Sequence, residues 1–426
     1  MWLLMAVEQP LIAAVVARMS EATRQLAAFG VTFSLALFIE GPVIQMLAAG
    51  TAAADSRENY RRLAAMMHLI GWSATAVHAL LCLPAVFGPF ARGVMGMPEE
   101  LLEPARRALV AMLPWTLAVG FRRLWQGVLI RYGRTVVIPF TMVARIAVSL
   151  ITLIWGLITE AVPGAVLGGL ALSAGVIAGA VASRIAVHRV LAELPEDAES
   201  TPPPMRWSAL ALFYIPLALT NFINLGARPL MQVGLARGPL PLESLALWPV
   251  SMGYLFLYTS FSLSSQEVVI ARLEDEASRR TLTRFSLGLG AVLGGLYALV
   301  LLTPLWRLWF SRVSGLSGPL LALAPQAVAL ALPVVPLAAI ISLYRGALVR
   351  LRRTGEVTAG IAVNVAVLMA LLFTGVRVLP IPAISTVSAA YALAFVAETI
   401  FLASRRPLKP FRGTADTDEA KADPIR

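Results

Sequence analysis

The feature that most constrains this chain is a succession of apolar stretches separated by short breaks that carry arginine, proline or glycine. Each stretch is roughly 20 to 30 residues long, which is what an α-helix needs to cross the hydrocarbon of a bilayer. About twelve can be counted, at 1 to 18, 26 to 50, 63 to 90, 104 to 131, 134 to 158 and 163 to 190, and again at 208 to 236, 243 to 270, 281 to 309, 319 to 351, 356 to 377 and 381 to 404. Hydrophobic residues make up 58% of the 426 positions and charged residues only 14%, so a soluble core is excluded and an all-α polytopic membrane protein is expected.

The net charge of +11 does not point to nucleic acid, because the arginines gather in alternate breaks. These hold Arg57, Arg61 and Arg62; Arg131 and Arg134; Arg189 and Arg206; Arg272, Arg279, Arg280 and Arg284; and Arg350, Arg352 and Arg353. By the positive-inside rule these loops and both termini are cytoplasmic, in a plasma (inner) membrane. The segment AELPEDAESTPPPMRW, with three successive prolines, reads as a cytoplasmic linker over 191–206, and the polar tail 405–426, which holds Lys409 and Lys421, as disordered.

The chain reads as two homologous halves, a bundle over 1–190 and another over 207–404. EQPLIAAVVAR (8 to 18) matches ARPLMQVGLAR (227 to 237), so Pro10, Leu11 and Arg18 fall opposite Pro229, Leu230 and Arg237, an offset of 219 residues. The same offset sets Pro114 opposite Pro333, and Gly127, Arg131, Arg134 and Thr135 opposite Gly346, Arg350, Arg353 and Thr354. A same-orientation repeat of six helices is a known transporter plan with the substrate at the repeat interface. The seventh stretch has an apolar approach segment that the first lacks, so the first helix looks truncated, and a start upstream of Met1 adding roughly a dozen apolar residues is expected, since 18 residues rise only about 27 Å.

Several chemistries are excluded. No lysine precedes Lys409, so no P-loop exists and transport would be driven by a gradient. There is no HExxH pair or GxSxG elbow, and His68, His78 and His188 lack metal-site spacing. Cys82 stands alone, so no disulfide or cysteine metal cluster forms within the chain. Neither an enzyme nor a cofactor protein is expected.

A charge inside an apolar span costs several kcal/mol unless it is paired or wet, so such residues are the site candidates. Glu8 and Gln9 lie in the first stretch, with Arg228 at the position equivalent to Gln9, and Pro10 and Pro229 follow as possible bends or hinges. Glu8 and Arg228 either form a fixed ion pair or divide the work, Arg228 offering a guanidinium fork to the substrate and Glu8 competing for it or carrying a proton. Arg122, Arg123 and Arg145 add positive charge in mid-span, and adjacent arginines point about 100° apart, so one of the first two is expected to line a cleft while the other snorkels or pairs. Glu40, before Gly41-Pro42, and Glu267 are the opposing acids; His78 is either a proton relay or a histidine hydrogen-bonded between helices. Asn221 and Asn224, with Tyr214 and Gln232, supply uncharged polar groups.

The stretches VEQPLIAAVVA (7 to 17), AAFGVTFSLALFIEGPV (27 to 43), ATAVHALL (74 to 81) and ARPLMQVGLAR resemble the progressive ankylosis family across nearly the whole chain. That resemblance implies a twelve-helix, two-bundle fold like the multidrug and toxin extrusion (MATE) flippases, a rocker-switch mechanism, and export of anions related to citrate, ATP and pyrophosphate. It covers Glu8-Gln9, Gly41-Pro42, His78 and Arg228-Pro229; it is not carried over to Arg122 and Arg123. The expectation is therefore a monomeric secondary transporter exporting a small organic anion such as a polycarboxylate or phosphate-bearing metabolite, coupled to H+ or Na+. The alternatives are a cation-coupled multidrug exporter working through Glu8, Glu40 and Glu267, a flippase for a lipid-linked glycan, or a membrane scaffold with structural charges.

Overall fold

The computed structural model describes residues 2–195 and 205–408; the three successive linker prolines, 202–204, and the tail lysines lie outside them. Among the described residues the regular structure is helical throughout, and the chain is an all-α polytopic membrane protein. In the first repeat α1 spans Trp2–Val16, α2 Ala22–Ile39, α3 Gly41–Ile44, α4 Met46–Ala53, α5 Arg57–Cys82, α6 Pro84–Pro89, α7 Glu99–Ala111, α8 Leu113–Arg131, α9 Ile138–Thr159 and α10 Gly164–Ala192. The second contains α11 Trp207–Arg237, α12 Pro241–Arg272, α13 Glu276–Leu302, α14 Leu305–Arg307, α15 Gly318–Leu330, α16 Val334–Arg350, α17 Thr354–Val378 and α18 Ala383–Ser404. Nine helical segments among the described residues are long and apolar enough to cross a membrane, counting α15 with α16 as one.

The repeat is visible in the backbone. The segment α2–α4 and helix α12 are 219 residues apart at both ends, and so are α7 and α15. Left-handed residues recur in the same register: Glu21 with Leu240, Gly96 with Gly315, and Gly133 with Arg352. So do the N-caps, Ser56 accepting from the Asn59 amide and Asp275 from the Ser278 amide, each satisfying an orphan donor of the first turn. Six-residue π-helices follow α6 and α14, at Phe90–Met95 and Leu308–Val313.

The predicted stretches correspond to these helices, but five of them are interrupted, those at 63 to 90 and 281 to 309 at Leu83 and at Thr303-Pro304. The expected helix over 26 to 50 breaks at Glu40 and again at Gln45, so Pro42 enters in the first turn of α3, where its missing N–H costs nothing. The stretches at 104 to 131 and 319 to 351 break ahead of Pro114 and around Pro333 in the same way. By contrast, neither Pro10 nor Pro229 interrupts its helix.

The chain divides into two compact units. The first comprises residues 3–250 with 314–316 and so includes α11 and the start of α12; the second comprises the rest of 251–408 among the described residues, with Trp2. In the first unit α4 and α8 cross at Gly50 and Gly127. A methyl at Gly127 would lie 2.5 Å from the Leu47 carbonyl oxygen, so only glycine allows that approach. Both ends of the linker rest on the start of α5: the Arg57 amide donates to the Pro195 carbonyl at 3.0 Å, and the Met205 amide to Asn59 Oδ1 at 2.9 Å.

Candidate functional site

The first unit carries a buried group of charges contributed by α1, the end of α2, α8, α9 and α11. Arg145 on α9 points at Glu8 on α1: its Nε donates to Glu8 Oε1 at 3.1 Å and its terminal nitrogen to Oε2. Ser149, one turn on, donates to Glu8 Oε1 at 3.0 Å. The side chains are 6% and 5% exposed, so the pair is closed and dry. An ion pair of Glu8 with Arg228 is one of two readings of the sequence; the guanidinium that α9 brings within bidentate reach of Glu8 is that of Arg145.

Arg122 and Arg123 on α8 are both buried, at 1% and 6% exposure. Neither snorkels: α8 packs against α4, α5 and α10, and both side chains lie on its enclosed part, whereas the half-exposed Phe121 and Trp125 lie on its open side. Arg122 touches Met142 Sδ at 3.6 Å, a weak acceptor, and the Nε atoms of both arginines have no hydrogen-bond partner. Gly179 on α10 makes room here: a methyl on it would lie 3.3 Å from both Arg122 Cδ and Arg145 Cβ.

Glu40 sits at the α2 break, buried, with Oε2 unpartnered. The charges of Arg122, Arg123, Arg145 and Arg228 all act on it. Arg228 on α11 is half-buried and therefore belongs to the same electrostatic neighbourhood. Gln9 is half-buried on α1, beside Glu8 in sequence.

The remaining predicted residues have more structural surroundings. Asn221 Nδ2 donates to the Gly41 carbonyl at 2.7 Å, and the Tyr214 hydroxyl to the Pro42 carbonyl, so α11 satisfies backbone acceptors at the α2 break. Gln232 donates to the Gly30 carbonyl at 3.1 Å and to Ser34 Oγ at 3.0 Å. Asn224 is exposed. His78 is fully buried, with Nε2 3.0 Å from the Leu109 carbonyl and Nδ1 3.5 Å from Thr116 Oγ1. Because a carbonyl only accepts, Nε2 carries the proton and the ring bridges helices. Glu267 on α12 is exposed and accepts from Trp2 Nε1 at 2.8 Å.

Sequence reasoning missed a second buried pair, in the second unit. Glu398 on α18 is fully buried; it accepts from Arg345 Nε on α16 at 2.7 Å and from Asn364 Nδ2 on α17 at 3.0 Å. The available signal was Glu398 itself, an acid deep in an otherwise apolar helix. Among the described residues no cluster of three or more histidine, cysteine or acidic side chains has metal-binding geometry.

No protein-family model matches the sequence, and no curated protein matches it. Solved structures do match. An inward-facing multidrug resistance MATE-family transporter of the MOP superfamily aligns over 95% of this chain and 97% of its own, with TM-score 0.73 and 12% identity. The lipid II flippase MurJ, in an inward closed conformation, aligns over 98% and 88%, with TM-score 0.68 and 11% identity. A MOP-superfamily transporter from Pyrococcus furiosus with a binding pocket of reversed polarity aligns over 96% of both chains, with TM-score 0.58 and 12% identity. At these identities the likeness establishes one thing, that this chain has the fold of the MATE-like transporters.

Proposed function

We propose that the protein is a secondary active transporter that exports a small organic anion, a polycarboxylate or a phosphate-bearing metabolite, by alternating access. The observation that carries this reading is the sign of the buried charge in the first unit. Arg122, Arg123 and Arg145 stand against Glu8 and Glu40, three buried guanidiniums against two buried carboxylates. Buried charge without a counter-charge is costly, and a bound anion offsets the excess of this group. Guanidinium is the side chain best suited to hold carboxylate or phosphate, through parallel N–H donors, and the unpartnered Nε atoms of Arg122 and Arg123 are such donors. Glu8 is already held by Arg145 and Ser149; in this reading Arg122 and Arg123, together with Arg228 of α11, bind the anion, and Glu40 exchanges a proton as it enters and leaves. Bundles over 1–190 and 207–404 would move about this site in a plasma membrane, as a monomer with both termini in the cytoplasm.

The test is efflux from proteoliposomes loaded in turn with radiolabelled succinate, citrate and phosphate. The wild-type protein is expected to release at least one of them. Arg123→Gln or Arg228→Ala is expected to slow that release about tenfold, the factor carried by one charge-assisted hydrogen bond. Efflux of none of these anions, together with efflux of a cationic dye, would overturn the reading in favour of a multidrug exporter. A flippase reading is favoured by one observation, the fold likeness to the lipid II flippase. It predicts that the same arginines engage the diphosphate of a lipid-linked sugar, and a fluorescent lipid-diphosphate translocation assay separates the two.

A further inference from the structure

An arginine at or just past the end of the first helix in each repeat meets the same structural feature. Arg237, at the end of α11, donates to the Gly93 carbonyl at 2.9 Å and to the Val94 carbonyl at 2.7 Å, within the first π-helix. Its aliphatic stem crosses Gly96, the left-handed residue that ends this π-helix. A methyl on Gly96 would lie 2.7 Å from Arg237 Cγ and 2.8 Å from Nε. Arg18, 219 residues earlier, lies in the same way across Gly315, the left-handed residue after the second π-helix. A methyl there would lie 2.9 Å from its terminal nitrogen and 3.2 Å from Cγ. Arg18 also donates to the Ala14 carbonyl at 2.5 Å, tying the guanidinium to the end of α1. Both arginines and both glycine loops, 93–96 and 314–316, belong to the first compact unit.

Two independent features make this arrangement specific. Each glycine has a positive φ, 69° and 74°, which disfavours any side chain, and each lacks room for one because an arginine occupies the space. Moreover, π-helices leave carbonyls poorly paired within the helix and recur at positions that move. The arginines are exposed, so the bonds of Arg237 to the π-helix carbonyls and the packing of Arg18 on Gly315 compete with water and exchange easily. Such bonds make a releasable fastening rather than a permanent brace.

The geometry points to a pair of pseudo-symmetric latches: Arg18 and Arg237 hold the ends of α1 and α11 onto the loops after the two π-helices, and their release opens this end of the protein. It is the end of α2 opposite the arginine-rich loop at 55–62, hence the side away from the cytoplasm under the positive-inside rule. The latch does not depend on which solute is carried, and its test involves no transport.

The experiment is maleimide labelling of purified protein in detergent, in a Cys82→Ser background. Single cysteines replace Ala17 and Ala236, which are 8% and 7% exposed beside the two arginines, or Ser183, which is fully buried on α10 as a control. Arg18→Ala with Arg237→Ala is expected to speed labelling of A17C and A236C about tenfold, the factor for one charge-assisted hydrogen bond, and to leave S183C unlabelled. Arg→Lys at both positions, which keeps one charged donor, is expected to give intermediate rates. Gly96→Ala with Gly315→Ala, which displaces both arginines while preserving their charge, is expected to reproduce the fast rate. Unchanged labelling in both the arginine and the glycine variants would overturn the latch, and so would an equal rise at S183C, which would mean general loosening.

Discussion

Removing one member of the Glu8–Arg145 pair is the sharpest available perturbation, because the geometry sets its size. At about 3 Å separation and an effective dielectric constant of about 20, the attraction is about 5 kcal/mol. Both side chains are about 95% buried, so most of it goes to offsetting desolvation and little is net stabilisation. Deleting one partner leaves the other charge stranded in a dry site. Glu8→Ala or Arg145→Ala should therefore cost about 3–5 kcal/mol. Replacing both with apolar side chains, Glu8→Leu with Arg145→Met, removes attraction and desolvation together and should fall within about 2 kcal/mol of the wild type. The measurement is reversible unfolding in mixed detergent micelles by SDS titration, followed by tryptophan fluorescence, with the four proteins forming a double-mutant cycle. A double variant whose loss equals the sum of the two single losses would refute the reasoning, since it would mean the charges do not act as one unit. The same double variant tests the role of Glu8: if the pair is structural, anion efflux survives in it, whereas a Glu8 that carries the coupling proton could not be replaced by leucine.

Glu398→Ala should also cost about 3–5 kcal/mol by stranding Arg345 and Asn364, while Glu398→Gln, which keeps the Asn364 contact, should cost less; the same SDS titration ranks them. Gly127→Ala should destabilise by about 1–3 kcal/mol, because its methyl meets backbone atoms of Leu47 and Thr51 that cannot rotate away, and thermal unfolding in detergent reads the loss. Leu240→Gly should raise stability by up to about 1 kcal/mol, since leucine there is held at φ 51°, a conformation glycine adopts freely. The Asp275 carboxylate caps α13, and the hydrogen bond from the Ser278 amide holds it below the ordinary range. A folded-state pKa below the unfolded value of about 3.9 makes the cap's contribution full above that pH and progressively lost as pH falls below it. Hydrogen exchange at the Ser278 amide should therefore gain an excess acceleration only below about pH 4, absent in Asp275→Ala.

The fold was largely legible because hydropathy and the 219-residue register both follow from sequence alone. Span length follows from bilayer thickness, and matched Pro, Gly and Arg positions survive in the helix boundaries and left-handed residues. What happens at each proline was not legible. Pro10, Pro42 and Pro229 all lie within apolar runs, yet only the run with Pro42 breaks. The difference lies in partners far away in sequence: Asn221 and Tyr214 of α11 supply donors to the Gly41 and Pro42 carbonyls that a broken helix exposes. A local signal fixes where a helix can break; tertiary donors decide whether it does.

The candidate residues were legible for the same reason as the spans, since charge in an apolar stretch is conspicuous, but their pairing was not. Repeat equivalence directed Glu8 toward Arg228 in one of its two readings, and packing brings Arg145 to it. The deeper difficulty is that the two repeats bury their charges from different positions. Glu398 occupies the position that the offset makes equivalent to Gly179, Asn364 that of Arg145, and Arg345 that of Gln126. In the second unit the carboxylate on α18 meets its guanidinium and the local charge closes to zero. In the first unit the equivalent position is a glycine that gives its space to Arg122 and Arg145, so the helix contributes room where its counterpart contributes a negative charge. One scaffold, copied twice, thus carries a neutralised pair in one copy and surplus guanidinium in the other. It is on that asymmetry, more than on any single arginine, that the proposal of an anion in the first unit rests.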